Sequence, residues 1–151
     1  MTGSALVIGI GNDFRTDDGV GLAVAAEVAR RGMPDVEVIS ALSDPGQILD
    51  SWTDVPLVVV VDAASGPDVV AGRIRYWIPG DDHQPTAVSS HSLGLPEIYA
   101  LGQALGRVPR RLVVLTVEIE DSSHGVGLSP AVADAVPTAV EAVLAEVGRQ
   151  P

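Results

Sequence analysis

Leu57-Val58-Val59-Val60-Val61, with Asp62 directly after it, decides the fold. Five apolar residues in a row, four of them valine, leave no polar face for water, so they read as a strand buried on both sides. Strands of that kind sit in parallel sheets, because crossover helices are what cover both faces. The strand is expected to end at Asp62, ahead of the small residues Ala63-Ala64-Ser65-Gly66. Ala5-Leu6-Val7-Ile8-Gly9-Ile10 is a second continuous apolar run, Val36 to Ile39 reads as a third strand and Leu112 to Val117 as a fourth. Val20, Val24 and Val28 recur at four-residue spacing, which predicts a helix stopped by Gly32. Asp44-Pro45 opens a short helix through about Trp52, and Leu93 to Leu105 reads as another, ended by Gly106.

Two segments break the pattern. Arg73-Ile74-Arg75-Tyr76-Trp77-Ile78 alternates polar with apolar, as a half-exposed edge strand guarded by arginine does, and Pro79 to Ser90 reads as a loop. Ser129-Pro130 starts a last helical region with Val136, Val140, Val143 and Val147 on one face. Proline does not suit the interior of a helix, so a short turn is expected first and the helix proper from about Pro137. The alternation of strands and helices predicts one domain over 1–151, a three-layer α/β/α sandwich around a mostly parallel, twisted sheet of about five strands.

Composition narrows the function. The 151 residues include no cysteine, which excludes a disulfide scaffold, a thiolate zinc site, an iron–sulfur cluster and a Cys nucleophile. Nine basic residues, all arginine, face 20 acidic ones for a formal charge of −11, a poor match for nucleic acid or an anionic membrane. Hydrophobic residues reach 46% but aromatics only 3%, so Val, Ala, Leu and Ile must build the core. Met1-Thr2-Gly3-Ser4 carries no basic region, and no apolar stretch reaches the ~20 residues that cross a bilayer, so a cytoplasmic protein is expected.

In folds of this class, ligands gather at the carboxyl ends of the strands. Three polar clusters fall there: Gly9-Ile10-Gly11-Asn12 leading to Asp17-Asp18-Gly19, then Asp62, then Ser89-Ser90-His91-Ser92. The glycine pair lacks the dinucleotide fingerprint, since Phe14 holds the third glycine position and Ser40 stands where an acidic ribose partner would end the Val36 to Ile39 strand. A phosphate loop fails for want of any lysine, and no G-x-S-x-G elbow is present, although Ser65, together with Ser90 and Ser92 beside His91, keeps a serine-hydrolase reading open. Asp17 and Asp18 suit a helix start, where one of them caps orphan N–H groups. His83 and His124 read as surface residues of turn-rich loops. Two carboxylates and an imidazole converging on one sheet edge would offer a mixed oxygen and nitrogen donor set, which suits a borderline transition metal.

At these residues the chain resembles the hydrogenase maturation endopeptidases. The resemblance rests on Ile8-Gly9-Ile10-Gly11-Asn12-Asp13-Phe14-Arg15-Thr16-Asp17-Asp18-Gly19-Val20-Gly21, on Val61-Asp62-Ala63, on Ser90-His91-Ser92-Leu93-Gly94-Leu95, and on Gly125-Val126-Gly127-Leu128-Ser129-Pro130. It implies a twisted, largely parallel five-stranded sheet, and an enzyme that removes the C-terminal extension of a nickel–iron hydrogenase large-subunit precursor. It further implies that Asp18, Asp62 and His91 are both the metal contacts and the catalytic residues, with nickel contributed by the precursor; separately, a monomer is expected. One stretch departs from the family pattern. Ser40-Ala41-Leu42-Ser43-Asp44-Pro45-Gly46 stands where relatives often carry an acidic-glycine-glycine-threonine loop. That departure motivates two competing readings on the same scaffold, a non-catalytic metal-sensing or chaperone module and a protease for another precursor. A flavodoxin-like nucleotide-binding domain, resting on Gly9 and Gly11 alone, is a third.

Overall fold

The computed structural model describes residues 5–11, 19–41, 45–65, 69–78, 88–89, 95–119 and 129–148. Its elements run β1 (Ala5–Ile10), α1 (Val20–Arg30), β2 (Val36–Ala41), α2 (Pro45–Trp52), β3 (Leu57–Ser65), β4 (Ile74–Trp77), β5 (Val88–Ser89), α3 (Leu95–Leu105), β6 (Leu112–Glu118) and α4 (Pro130–Gly148). The sheet order is β2-β1-β3-β6-β4, with β3 at the centre. Its first four strands pair in parallel, whereas β4 pairs antiparallel with β6 at the edge. The five-stranded, mostly parallel sheet expected from the sequence is therefore present, with the odd strand where Arg73 to Ile78 pointed.

Strand alternation sorts the core into two faces. Val7, Val59, Val61, Val113, Leu115 and Val117 pack with Val20, Val24 and Val28 of α1 and with Val132, Val140, Val143 and Val147 of α4. Leu6, Ile8, Ile10, Val58, Val60, Leu112 and Val114 pack with Ile48, Leu49 and Trp52 of α2 and with Leu95 and Ile98 of α3. Both faces of β3 are thus covered, which is why its run carries no polar residue before Asp62. The second face is anchored by Trp52, which is fully buried, meets Tyr99 edge to face at 6.2 Å and donates its indole N–H to the Arg107 carbonyl at 2.9 Å. Helix α1 stops where Gly32 takes a φ of +60°, a left-handed turn that costs glycine little.

Three details differ from the sequence reading. Strand β3 does not end at Asp62 but continues to Ser65, because β6 goes on pairing with it through Ala64. Pairing with β1 stops at Val61, and the flank left beyond that point is taken by β5, whose Ser89 faces Ala64 and whose Val88 faces Ser65. So two residues of the stretch read as loop are strand, too few to leave any periodicity in the sequence. Helix α4 runs unbroken from Pro130 to Gly148 with Pro137 inside it. Pro137 has no N–H for the carbonyl of Ala133, yet burial of Val132, Ala135, Ala139, Val140, Val143 and Val147 holds the helix together through that gap.

Because Pro137 is exposed, Pro137→Ala restores a hydrogen bond without disturbing the core. The variant is expected to gain about 1–3 kcal/mol of stability, measured by urea denaturation.

Candidate active site at the carboxyl end of strand β3

Asp62 interrupts the most apolar strand of the chain, and its residue is only 1% exposed. Alternation along β3 places it on the same face as Val58 and Val60, the face covered by α2 and α3. Its Oδ1 accepts the Ala63 N–H at 2.8 Å, which fixes the carboxylate against its own strand. Asp62 lies one residue past the point where β1 leaves β3 and three before the end of the strand, on the carboxyl side of the sheet where an α/β fold of this kind gathers its ligands.

Two glycines bring α1 onto this strand end. A Cβ on Gly21 would strike the Ile10 carbonyl oxygen and would lie 2.5 Å from the carbonyl oxygen of Val61, the residue before Asp62. A Cβ on Gly9 would lie 2.5 Å from the Gly21 carbonyl oxygen and 2.6 Å from the Ala25 side chain. With hydrogen at both positions, the first turn of α1 rests directly on the backbones of β1 and β3. The Gly9 and Gly21 of the first motif therefore serve close packing of helix on strand, which accounts for them without any nucleotide.

Of the three residues singled out from the sequence, Asp62 is described, while Asp18 and His91 lie outside the described residues. So do Asp17, His83, Ser90, Ser92, His124 and the departing stretch 42–44. Among the described residues no group of three His, Asp or Glu could hold a metal ion. The nearest described neighbours of the two others along the chain are Gly19, which caps α1, and Ser89 of β5.

Sequence reasoning missed a second polar group on the same face. In register, Asp62 faces Thr116 of β6, and Thr116 faces Arg75 of β4; one step further along, Glu118 faces Ala64. Glu118 is 1% exposed, and it is saturated with donors. Its Oε1 accepts the Val70 N–H at 2.9 Å and Arg73 Nε at 2.7 Å, and its Oε2 accepts Arg75 Nε at 2.6 Å. Burial pushes this carboxyl up, but the Val70 amide and the two guanidinium groups outweigh it and hold it below the ordinary 4.5. The available signals were a glutamate closing an otherwise apolar strand and two arginines at i, i+2 on an edge strand, which share one face.

Comparison with known proteins agrees with this architecture. The sequence profile of the hydrogenase maturation protease family matches residues 22–146, a span that holds Asp62 and His91 and begins after the first motif. The Hydrogenase 2 maturation protease of Escherichia coli is 27% identical over 146 residues, covering 93% of this chain and 88% of that protein. The hydrogenase expression/formation protein HupD of Bradyrhizobium diazoefficiens is 30% identical over 155 residues, covering 95% and 79%. Among solved structures, the hydrogenase maturating endopeptidase HybD of E. coli superposes with a TM-score of 0.81 at 22% identity, covering 95% of this chain and 91% of that one. The HybD protease of Thermococcus kodakarensis gives 0.77 at 21% identity, covering 95% and 99%, so the fold is shared across both.

Two outcomes follow from the packing. Gly21→Ala is expected to cost about 1–3 kcal/mol in thermal or urea unfolding, since backbone carbonyls cannot swing aside as side chains do. Glu118→Gln is expected to cost about 1–2 kcal/mol, a figure kept low because Arg73 and Arg75 are each more than a third exposed and water screens them. Since folding lowers the Glu118 pKa, its charge stabilises above the ordinary 4.5 and loses that effect as the pH falls through the lowered value. The gap between wild type and Glu118→Gln in urea midpoints should therefore be widest at neutral pH and close as the solution is acidified below that range.

Proposed function

The chain belongs to the hydrogenase maturation protease family, a family of peptidases, and on that premise we propose that it removes the C-terminal extension of a nickel-loaded hydrogenase large-subunit precursor. The observation that carries this reading is Asp62: a buried carboxylate three residues before the carboxyl end of the central strand, within the span that matches the family. Asp18, Asp62 and His91 are the proposed catalytic set and the groups that contact the precursor's nickel.

The surroundings of Asp62 support that assignment. Asp18 precedes the α1 cap by one residue, and the first turn of α1 lies on the Val61 carbonyl beside Asp62. Strand β5 runs antiparallel to β3, so the step from Val88 to Ser89 goes back along β3 towards Asp62, and His91 follows two residues later in the chain. Carboxylates and neutral imidazole need no costly deprotonation at neutral pH, which suits a contact made and broken in each turnover. The nickel, arriving in the precursor, is substrate. The metal would position the scissile peptide, with the metal or a carboxylate helping to activate the attacking water.

A charge of −11 with no lysine favours a protein substrate over nucleic acid, and among the described residues no helix is long and apolar enough to cross a membrane. We place the protein in the cytoplasm as a monomer that meets its precursor there.

The test is cleavage of nickel-loaded precursor by purified protein, followed by mass spectrometry. Wild type should shorten the precursor at its C-terminus, and Asp62→Asn, which keeps the size and removes the charge, should slow this by about 100-fold or more. Cleavage by Asp62→Asn at the wild-type rate would overturn the assignment.

A further inference from the structure

The edge of the sheet beyond Arg75 has three features that the reaction at Asp62 does not use. First, β4 is the last strand in the order β2-β1-β3-β6-β4, and among the described residues nothing pairs with its outer side. The Glu118 N–H donates to the Arg73 carbonyl at 2.8 Å, which sets the phase of the antiparallel ladder. Arg75 and Trp77 accordingly turn their backbone groups to β6, whereas Ile74 and Tyr76 turn theirs to the open edge. Second, on the α4 face of this edge lies a groove of about 360 Å³ lined by Ala71, Gly72, Ile74, Ala131, Ala135 and Thr138, with Asp134 at its side. Third, on the opposite face stands Arg75, 48% exposed, its Nε tied to buried Glu118 and its guanidinium plane thereby fixed in direction.

We propose that β4 is a docking strand for an extended segment of the precursor, a segment that alternates small apolar with acidic side chains. The inference rests on the reading of this chain as a precursor-processing protease and names how that precursor is held. An added strand bonds through the Ile74 and Tyr76 backbone groups. Because its side chains alternate between faces, those on one face enter the Ala71–Ala135 groove and those on the other meet Arg75. The occupant is acidic by charge complementarity at Arg75, whose side chain is 48% exposed and shares the one carboxylate of Glu118 with Arg73. A second copy of the chain fits this edge poorly, since two such edges would set their arginines against each other. A strand added outside β4 lies roughly 14 Å from β3, three inter-strand spacings. The docked segment therefore anchors the precursor at a distance and is not the one that is cut.

Two probes test this against the full chain: a capped synthetic peptide of alternating valine and glutamate, and nickel-loaded precursor. Tyr76→Pro deletes an edge-facing N–H while keeping the ladder to β6, and Ala131→Leu fills the groove from an exposed helix position. The expected result is binding of both probes by wild type, weakened about tenfold by Tyr76→Pro and measurably by Ala131→Leu, with no binding of a valine–lysine peptide. Should Tyr76→Pro fail to fold, Ala131→Leu and the lysine peptide decide the matter. Unchanged binding of both probes by the folded variants would overturn the docking strand, and so would self-association that Tyr76→Pro abolishes. Precursor cut by Tyr76→Pro with an unchanged KM would sink the docking strand and leave the protease reading intact. Edge-dependent peptide binding without any precursor binding or cleavage by wild type would overturn the protease reading and, with it, the precursor as the occupant of β4.

Discussion

The contact between the first turn of α1 and the ends of β1 and β3 is the constraint on which the rest depends. Helix and strand backbones approach there so closely that neither Gly9 nor Gly21 has room for a methyl group. The approach brings a helix N-terminus, with its unpaired N–H groups and partial positive charge, to the strand end that carries Asp62. It also fixes α1 along the face shared with α4, where Val20, Val24 and Val28 close the core. A larger residue at either glycine would lift the helix off the backbones of β1 and β3.

A second constraint stands one strand over. Glu118 lies buried in the same face as Asp62 and is neutralised by Arg73 and Arg75 from the edge strand. A buried carboxylate with three donors ties down the short β4, which among the described strands pairs with β6. The carboxyl side of the sheet thus keeps two buried acids on one face, and the charge of Glu118 is answered by Arg73 and Arg75.

Much of this was legible in the sequence. The valine run of β3 left no alternative to a strand covered on both sides, and Asp62 stood out because it breaks that run. The edge strand showed in the alternation around Arg75, whereas Asp18 and His91, which the sequence grouped with Asp62, lie outside the described residues. What was not legible has physical reasons. The Glu118 group joins residues 43 and 45 positions apart, which no local pattern encodes. The continuity of α4 through Pro137 reflects tertiary burial overriding a local penalty. The pairing of Val88–Ser89 with β3 fills a gap that exists only because β1 and β6 leave β3 at different heights.

The central claim is that this chain lends oxygen and nitrogen donors to a nickel ion already seated in another protein. X-ray absorption at the nickel edge, recorded on loaded precursor alone and on its complex with this protein, tests it most directly. The expected result is a gain of oxygen and nitrogen neighbours at nickel in the complex, reduced when Asp62 is replaced by asparagine. An identical nickel environment in precursor and complex, under conditions where cleavage proceeds, would contradict it.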